Sequence, residues 1–235
     1  DYTVGVSAGI AYGVSYLSRQ SRRNLKLLTT FANDSRYMGV RNFVKPSNRC
    51  YFGLKFAYET IPNQLVPFDY DAFASYPGTV EAVVTNLESG EAEYLPVPRR
   101  DGHNLLLQAT CAIPMMFPVI WLEGKPYLDG GCADPIPWKH ALEQCCDRVV
   151  VVLTRERGYV KSEHDALTDA SAFLYRNYPK FAHRLLLRGR IYNAQRQRLY
   201  ELEREGRAFL ITPENTAHFR RNESNPAVIR ELYLQ

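Results

Sequence analysis

The sequence predicts a layered α/β fold with a mainly parallel central sheet, formed by one domain over residues 1–235. Stretches with strand character alternate with stretches of helical spacing, which is the order expected when helices pack on a sheet. Residues 148–154 (RVVVVLT) form an unbroken apolar run, which is typical of a parallel strand buried on both faces. With 235 residues and 46% hydrophobic content, the chain is also long enough to bury a sizeable core.

The first element is a strand that is followed almost at once by a helix. Residues 1–4 read as the last part of a strand, and residues 8–20 read as a helix. Between them lies G-V-S-A-G, with Gly5 and Gly9 on either side of Ser7. Small residues at these two positions give room for a sharp strand-to-helix turn, because larger side chains would collide where the two elements approach.

The remaining elements follow from apolar periodicity and from turn residues. Further helices are predicted at residues 24–33, 52–61 before Pro62, 68–73, 104–112, 137–145, 166–205 with a break near Pro179, and 225–232. Two hairpins are predicted, one from residues 79–87 and 92–95 and one from residues 119–122 and 126–129. Single strands are predicted at residues 148–154 and 208–212, and residues 34–48 are polar and irregular.

Composition and charge argue against several classes of protein. The net charge is +4 and both signs are interspersed, so the dense basic stripe of a nucleic-acid-binding protein is missing from the sequence. The arginine-rich residues 184–207 also contain glutamates and regularly spaced leucines, which indicates a solvated amphipathic helix with a weak attraction to anionic lipid headgroups. No apolar run approaches the roughly 20 residues that a transmembrane helix needs.

The five cysteines, at positions 50, 111, 132, 145 and 146, are odd in number and irregular in spacing. This pattern fits neither a disulfide framework nor a zinc site, and it predicts a reducing, cytoplasmic compartment. We expect neither a metal nor a cofactor, because the sequence has no cluster of residues with metal-ligand spacing.

Ser7 is either the cap of an ordinary turn or a nucleophile held clear of its own backbone. As a nucleophile it would lie at the N-terminus of the following helix, whose amides and positive dipole end stabilise an oxyanion. A serine also needs a base to accept its proton. None of the five histidines has a recognisable catalytic setting, although His218 follows the last predicted strand, where an α/β-hydrolase keeps its base. A Ser–His–Asp esterase with Ser7 and His218 is therefore one alternative.

A carboxylate is the other candidate base. Asp129 ends a predicted strand and precedes Gly130 and Gly131, a sequence that projects a carboxylate from a sheet edge while other backbone comes close. D-G-G also forms an ordinary turn, and from these residues alone that interpretation is the stronger one. A carboxylate can act as the base only in a dry pocket that strengthens it.

The linked motifs resemble those of the patatin-like phospholipases, which are serine lipid acyl hydrolases with a Ser–Asp dyad and no histidine. G-V-S-A-G and the later D-G-G are similar to the two catalytic motifs of that family. Residues 109–118 (ATCAIPMMFP) are similar to its A-x-x-A-I-P-x-x-F-P block, and Ile136-Pro137 to the apolar-Pro step that follows. Residues 34–37 and 86–91 resemble the corresponding segments of bacterial members of the family. The resemblance extends from residue 1 to about residue 155.

The resemblance implies a three-layer α/β/α fold and a hydrolase that cleaves acyl esters of lipids through an acyl-enzyme intermediate. Ser7 matches the nucleophile, Asp129 the base, and Ala8 a backbone N–H donor to the oxyanion. Residues 113–117 either line the acyl site or belong to the core. The implied partner is a lipid or ester substrate, with transient contact to a membrane surface and no nucleic acid. A catalytically degenerate patatin-like binding protein is the second alternative.

The glycine-rich loop of the family has no counterpart in this sequence. In the family this loop lies upstream of the nucleophile, on the first strand, and supplies most of the oxyanion amides, whereas only six residues precede Ser7 here. We therefore expect the natural protein to extend at least roughly 30 residues further upstream, the length of a βα unit. Without the loop we expect weak catalysis, because each lost oxyanion donor lowers the rate on the order of a hundredfold or more.

Overall fold

The computed structural model describes residues 1–46, 48, 50–144, 146–163, 165–220 and 223–235, so that Cys145 and His164 lie outside the described residues. The described strands are β1 (Tyr2–Val6), β2 (Thr79–Asn86), β3 (Ala92–Pro96), β4 (Ile120–Leu122), β5 (Lys125–Asp129), β6 (Val149–Val152) and β7 (Ala208–Ile211). The described α-helices are α1 (Ala8–Leu17), α2 (Arg23–Phe31), α3 (Tyr70–Ser75), α4 (Leu105–Thr110), α5 (Trp138–Glu143), α6 (Ala166–Leu174), α7 (Pro179–Arg204) and α8 (Pro226–Tyr233). Strands and helices alternate as in an α/β fold, as the sequence predicts.

The larger sheet is built around β2, which has neighbours on both edges. On one edge, β3 pairs antiparallel with β2 and completes the first predicted hairpin. The other edge is shared, because β1 pairs in parallel with residues 79–83 and β5 pairs antiparallel with residues 84–86. β4 extends this sheet by pairing antiparallel with β5, which is the second predicted hairpin. β1 and β5 therefore run toward each other along the same edge of β2, and their carboxyl ends meet.

Helix α7 connects two hydrophobic cores. Its first half contributes Phe181 and Leu185 to the main core, which lies between the larger sheet and helices that include α1 and α4. Its second half contributes Leu199 and Leu202 to a second core against β6 and β7. The break near Pro179 follows the prediction, since α6 ends at Leu174 and α7 begins at the proline.

The prediction that residues 148–154 form a strand buried on both faces is wrong. β6 pairs in parallel with β7 in a separate two-stranded sheet. One face of this sheet packs on the second core, whereas Val150 and Val152 on the other face are 67% and 69% exposed. A run of valines shows no periodicity, so the sequence does not distinguish one buried face from two.

Two predicted helix boundaries are also wrong. The helix expected to end before Pro62 is a π-helical segment over Phe56–Leu65, and the proline lies inside it. Its wider turns use i→i+5 hydrogen bonds, such as the one from the Val66 N–H to the Ile61 carbonyl at 2.8 Å, so a missing proline N–H removes one donor without ending the helix. Helix α1 ends before residue 20, because Arg19 adopts the left-handed conformation with a φ of 57°.

Candidate active site

The carboxyl ends of β1 and β5 bring Ser7 and Asp129 together at one edge of β2. Val6 of β1 pairs with Val83, and Asp129 of β5 pairs with the next residue, Val84. The Ser7 hydroxyl donates a hydrogen bond to Asp129, with 2.7 Å between Oγ and Oδ2. Two residues that are 122 positions apart in sequence therefore meet because two strands of opposite direction end at the same place.

Ser7 occupies a strained turn between β1 and α1. Its φ of 53° lies in the left-handed region, which a residue with a side chain adopts at an energetic cost. Gly5 permits the close approach of strand and helix, because a Cβ at this position would lie 2.8 Å from the Cβ of Ile10. A Cβ at Gly9, in contrast, would meet no described atom within 4 Å. The steric reason predicted for both glycines therefore holds for Gly5 and is wrong for Gly9.

Thr110, at the end of α4, holds the backbone of this turn. Its hydroxyl accepts a hydrogen bond from the Ser7 N–H at 2.9 Å and donates one to the Val83 carbonyl at 2.6 Å. In a regular parallel ladder with this register, the Ser7 N–H would bond directly to the Val83 carbonyl. The hydroxyl thus replaces one rung of the ladder and fixes the point at which the chain leaves the sheet.

Both oxygens of the Asp129 carboxylate are held in place. Oδ2 accepts the hydrogen bond from Ser7, and Oδ1 accepts one from the Gly131 N–H at 2.8 Å. Gly130 lets the end of β5 lie against β2, because a Cβ there would be 2.1 Å from the Val83 carbonyl oxygen. Asp129 is only 7% exposed, so the carboxylate faces the serine in a setting with little solvent.

An uncharged polar wall lies beside Ser7. The Cys111 thiol lies near the hydroxyls of Ser7 and Tyr58, and the hydroxyls of Tyr12 and Tyr37 lie near each other. Burial raises the pKa of the Cys111 thiol to about 12, and it raises the pKa values of Tyr12 and Tyr58 well above their usual 10.0. At neutral pH these groups are uncharged, and Cys111 does not compete with the serine as a thiolate.

Neither this wall nor Thr110 is predicted by the sequence as part of the site. Thr110 and Cys111 belong to the A-T-C-A segment, which shows no pattern specific to hydrogen bonding. Their contacts depend on how α4 packs against β2 and on where the π-helical segment carries Tyr58. Such placement is long-range, so local spacing gave no signal for it.

The backbone N–H of Ala8 is the predicted donor to an oxyanion, and Ala8 occupies the position that this role requires. Ala8 follows Ser7 directly and is the first residue of α1. The first N–H groups of a helix have no carbonyl partner within it, and they carry the positive end of the helix dipole. Ala8 therefore stays a predicted donor to an oxyanion at Ser7.

His218 does not lie beside Ser7. It is exposed at a separate cavity of about 620 Å³ between the end of α2 and the start of α8, together with Asn33. His140 instead contacts Glu81, with 2.9 Å between Nε2 and Oε2. Among the described histidines, none makes a hydrogen bond to the Ser7 hydroxyl.

Ser7 and Asp129 line a cavity of about 1290 Å³, which is large enough for a lipid acyl chain. Ile113, Pro114 and Phe117 also line this cavity, and Phe117 is at the same time part of the main core. The segment 113–117 therefore contributes to the wall of this cavity as well as to the main core, and its role at an acyl site stays a prediction. Within the described ranges, no group of three or more His, Cys, Asp or Glu residues is arranged to hold a metal ion.

Two family profiles match this chain. The profile of a domain of unknown function, DUF6363, matches residues 178–235. Helix α7 lies entirely within this match and yet packs into the main core through Phe181 and Leu185. The two matched segments therefore share a hydrophobic core, and a single domain over residues 1–235 stays a prediction. A comparison with curated proteins gives no match.

The other profile, that of the patatin-like phospholipases, matches residues 1–142 and so includes both Ser7 and Asp129. This match covers more than half of the 235 residues. Among the described helices, none combines the length and the apolar character that crossing a bilayer requires. The chain belongs to the patatin-like phospholipase family.

Proposed function

We propose that this chain is a serine hydrolase that cleaves acyl esters of lipids, with Ser7 as the nucleophile and Asp129 as the base. The observation that carries this proposal is the 2.7 Å hydrogen bond from Ser7 Oγ to Asp129 Oδ2. A serine becomes an effective nucleophile when a base within hydrogen-bonding reach accepts its proton. Membership of the patatin-like phospholipase family supports a lipid as the source of the ester.

In the first step, Ser7 Oγ attacks the ester carbonyl carbon and gives its proton to Asp129 Oδ2. A C–O bond forms, and the π electrons of the carbonyl move onto its oxygen. The Ala8 N–H and the positive end of α1 stabilise the resulting oxyanion. The tetrahedral intermediate then collapses, and the alcohol leaves with the proton that Asp129 returns to it.

In the second step, water attacks the acyl-serine and gives its proton to Asp129. The acid is released, and the proton returns to Ser7 Oγ. The hydrogen bond from the Gly131 N–H to Oδ1 keeps Oδ2 turned toward the serine during both steps. The same carboxylate oxygen thus takes and returns the proton twice in each cycle.

The surroundings of the pair favour a carboxylate base. Asp129 is nearly buried, and the thiol and phenols beside Ser7 are uncharged at neutral pH. Water stabilises the charged form of a carboxylate and thereby makes it a weak base. A carboxylate from which water is excluded is therefore a stronger base. We also propose a reducing, cytoplasmic location, which is supported by the free thiols of Cys50, Cys111 and Cys146.

A fluorophosphonate probe tests this function directly, because it reacts with an activated serine. We expect labelling of the Ser7 peptide by mass spectrometry, together with hydrolysis of p-nitrophenyl esters. Ser7→Ala should abolish both, and His218→Ala should leave both unchanged. A full-length natural protein that is not labelled and hydrolyses no ester would indicate a degenerate binding protein. Loss of activity in His218→Ala would support the Ser–His–Asp alternative instead.

A further inference from the structure

We propose that α6 and Met115 form a membrane-docking face that seats the catalytic cavity against an anionic lipid surface. The docking face consists of Leu167, Phe173 and Leu174 on α6, together with Met115. This role rests on the proposed lipid hydrolase function and identifies the surface through which the protein would reach its substrate.

Helix α6 presents apolar side chains to solvent. Leu167, Phe173 and Leu174 are 64%, 70% and 54% exposed, whereas Ser171 on the packed side is 7% exposed. A surface helix of a soluble protein normally has the reverse arrangement, with its apolar stripe facing the core. Single exposed apolar residues are common, but three on a helix of nine residues form a patch that marks an interaction site.

The docking face lies beside the wall of the catalytic cavity. The Ser171 hydroxyl donates a hydrogen bond to the Met115 sulfur at 3.1 Å, and the Met115 N–H donates one to the Tyr175 hydroxyl at 3.4 Å. Met115 is 41% exposed and has a left-handed backbone with a φ of 67°. It follows Ile113 and Pro114, which line the cavity that contains the serine. A membrane on α6 would therefore lie close to the cavity.

Two exposed basic side chains, Arg176 and Lys180, follow the apolar patch along the chain. The guanidinium of Arg176 lies 4.7 Å from the centroid of the Phe173 ring, and Lys180 is exposed at the start of α7. Residues 161–190 contain six Lys and Arg against three Asp and Glu, and of the six basic residues Arg184 is paired with Glu91 outside this range. Of these acids, Asp165 caps α6 by accepting a hydrogen bond from the Thr168 N–H. Long basic side chains beside apolar ones are suited to an interface, where they reach lipid phosphates while the apolar groups enter the hydrocarbon.

The charge and the position of the patch together favour lipid over a protein partner. An excess of basic side chains complements the negative surface of a membrane that contains anionic lipids. The adjacent cavity takes a substrate that is itself a membrane component under the proposed function. Apolar contact and electrostatic attraction would therefore act at one surface, and binding should need anionic lipid and weaken with salt.

Vesicle flotation tests this inference with the whole chain. The probe is a vesicle of phosphatidylcholine with about 30 mol% phosphatidylglycerol, which gives the vesicle a negative surface. The variant L167Q/F173Q should bind at least about tenfold more weakly than wild type. The matched control is V150Q/F209Q, which removes two apolar side chains that are 67% and 65% exposed on the β6–β7 sheet. The control should bind like wild type.

A soluble ester separates docking from catalysis. L167Q/F173Q should hydrolyse p-nitrophenyl butyrate at the wild-type rate and lose activity only on lipid in vesicles. Binding that is equal in wild type and L167Q/F173Q, or equally weakened in the control, would overturn the docking face. Conversion of a dimer into a monomer by L167Q/F173Q would assign the patch to a protein interface and overturn it too. A wild-type protein that binds vesicles through this face but hydrolyses no ester would refute the proposed function alone.

Discussion

Replacing Thr110 with valine should displace Ser7, because the threonine hydroxyl is the link between the serine backbone and the sheet. The hydroxyl accepts from the Ser7 N–H at 2.9 Å and donates to the Val83 carbonyl at 2.6 Å. Thr110 is completely buried, so water cannot substitute for it. Valine has nearly the same shape and lacks the hydroxyl, and the substitution therefore removes two hydrogen bonds without opening a large cavity.

The size of the effect follows from these two contacts. A buried polar group left without a partner destabilises a protein by about 1–3 kcal/mol, so the loss of both partners should lower the free energy of unfolding by roughly 2–6 kcal/mol. For a chain of this length that corresponds to a drop in Tm of about 4–24 °C. The Ser7 N–H can recover part of this loss by bonding directly to Val83, but only by pulling the turn toward β2. A shift of about 1 Å in a reacting group can lower the rate about a hundredfold.

Two measurements separate position from stability. The rate of fluorophosphonate labelling of Ser7 should fall about a hundredfold in Thr110→Val, measured well below the melting temperature and corrected for the folded fraction. Thr110→Ser keeps the hydroxyl and should label at nearly the wild-type rate. A Thr110→Val protein that labels as fast as wild type would refute the positioning role, whatever its melting temperature.

The remaining predictions concern packing and pH. Gly130→Ala should prevent folding or sharply lower Tm, because its Cβ would be 2.1 Å from a backbone oxygen, whereas Gly9→Ala should leave Tm unchanged, as a Cβ there meets no described atom within 4 Å. Circular dichroism melts of the two variants check this contrast, and equal Tm values would contradict it. The free energy of unfolding should fall as pH rises above about 9, because the unfolded chain ionises Cys111, Tyr12 and Tyr58 while the folded protein keeps them protonated. Each group steepens this fall by up to about 1.4 kcal/mol per pH unit. The free energy of unfolding can be measured by urea titration at several pH values. If it depends on pH equally in wild type and in a Tyr12→Phe/Tyr58→Phe variant, these phenols are not the cause.

The parts of the fold that the sequence predicted are those that local chemistry determines. The two hairpin turns contain Gly90 and Gly124, whose φ values of 69° and 80° require a residue that tolerates the left-handed region. The pairing of Ser7 with Asp129 was also predictable, because each residue lies at a strand end within a short motif. Each of these motifs is similar to a motif of a known family. The contact between them follows from the direction of β1 and β5 along one edge of β2.

The features that escaped prediction depend on packing between distant segments. The exposure of Val150 follows from the pairing of β6 with β7, which no residue in the valine run specifies. The bridging role of Thr110 depends on α4 lying across β2. Gly9 shows the opposite case. The motif predicted that a side chain at this position would collide with a neighbouring element, but no described residue lies close enough to do so.

The kinetics of Asp129→Asn test the proposed dyad most directly. Asparagine preserves the shape of the side chain and can keep its oxygen on the Gly131 N–H while its NH2 group donates to Ser7 Oγ, but it cannot take the serine proton at neutral pH. The proposed mechanism predicts that ester hydrolysis falls by about 10²–10⁴-fold while Tm changes little. A folded Asp129→Asn protein that hydrolyses esters at the wild-type rate would show that another group removes the proton from Ser7.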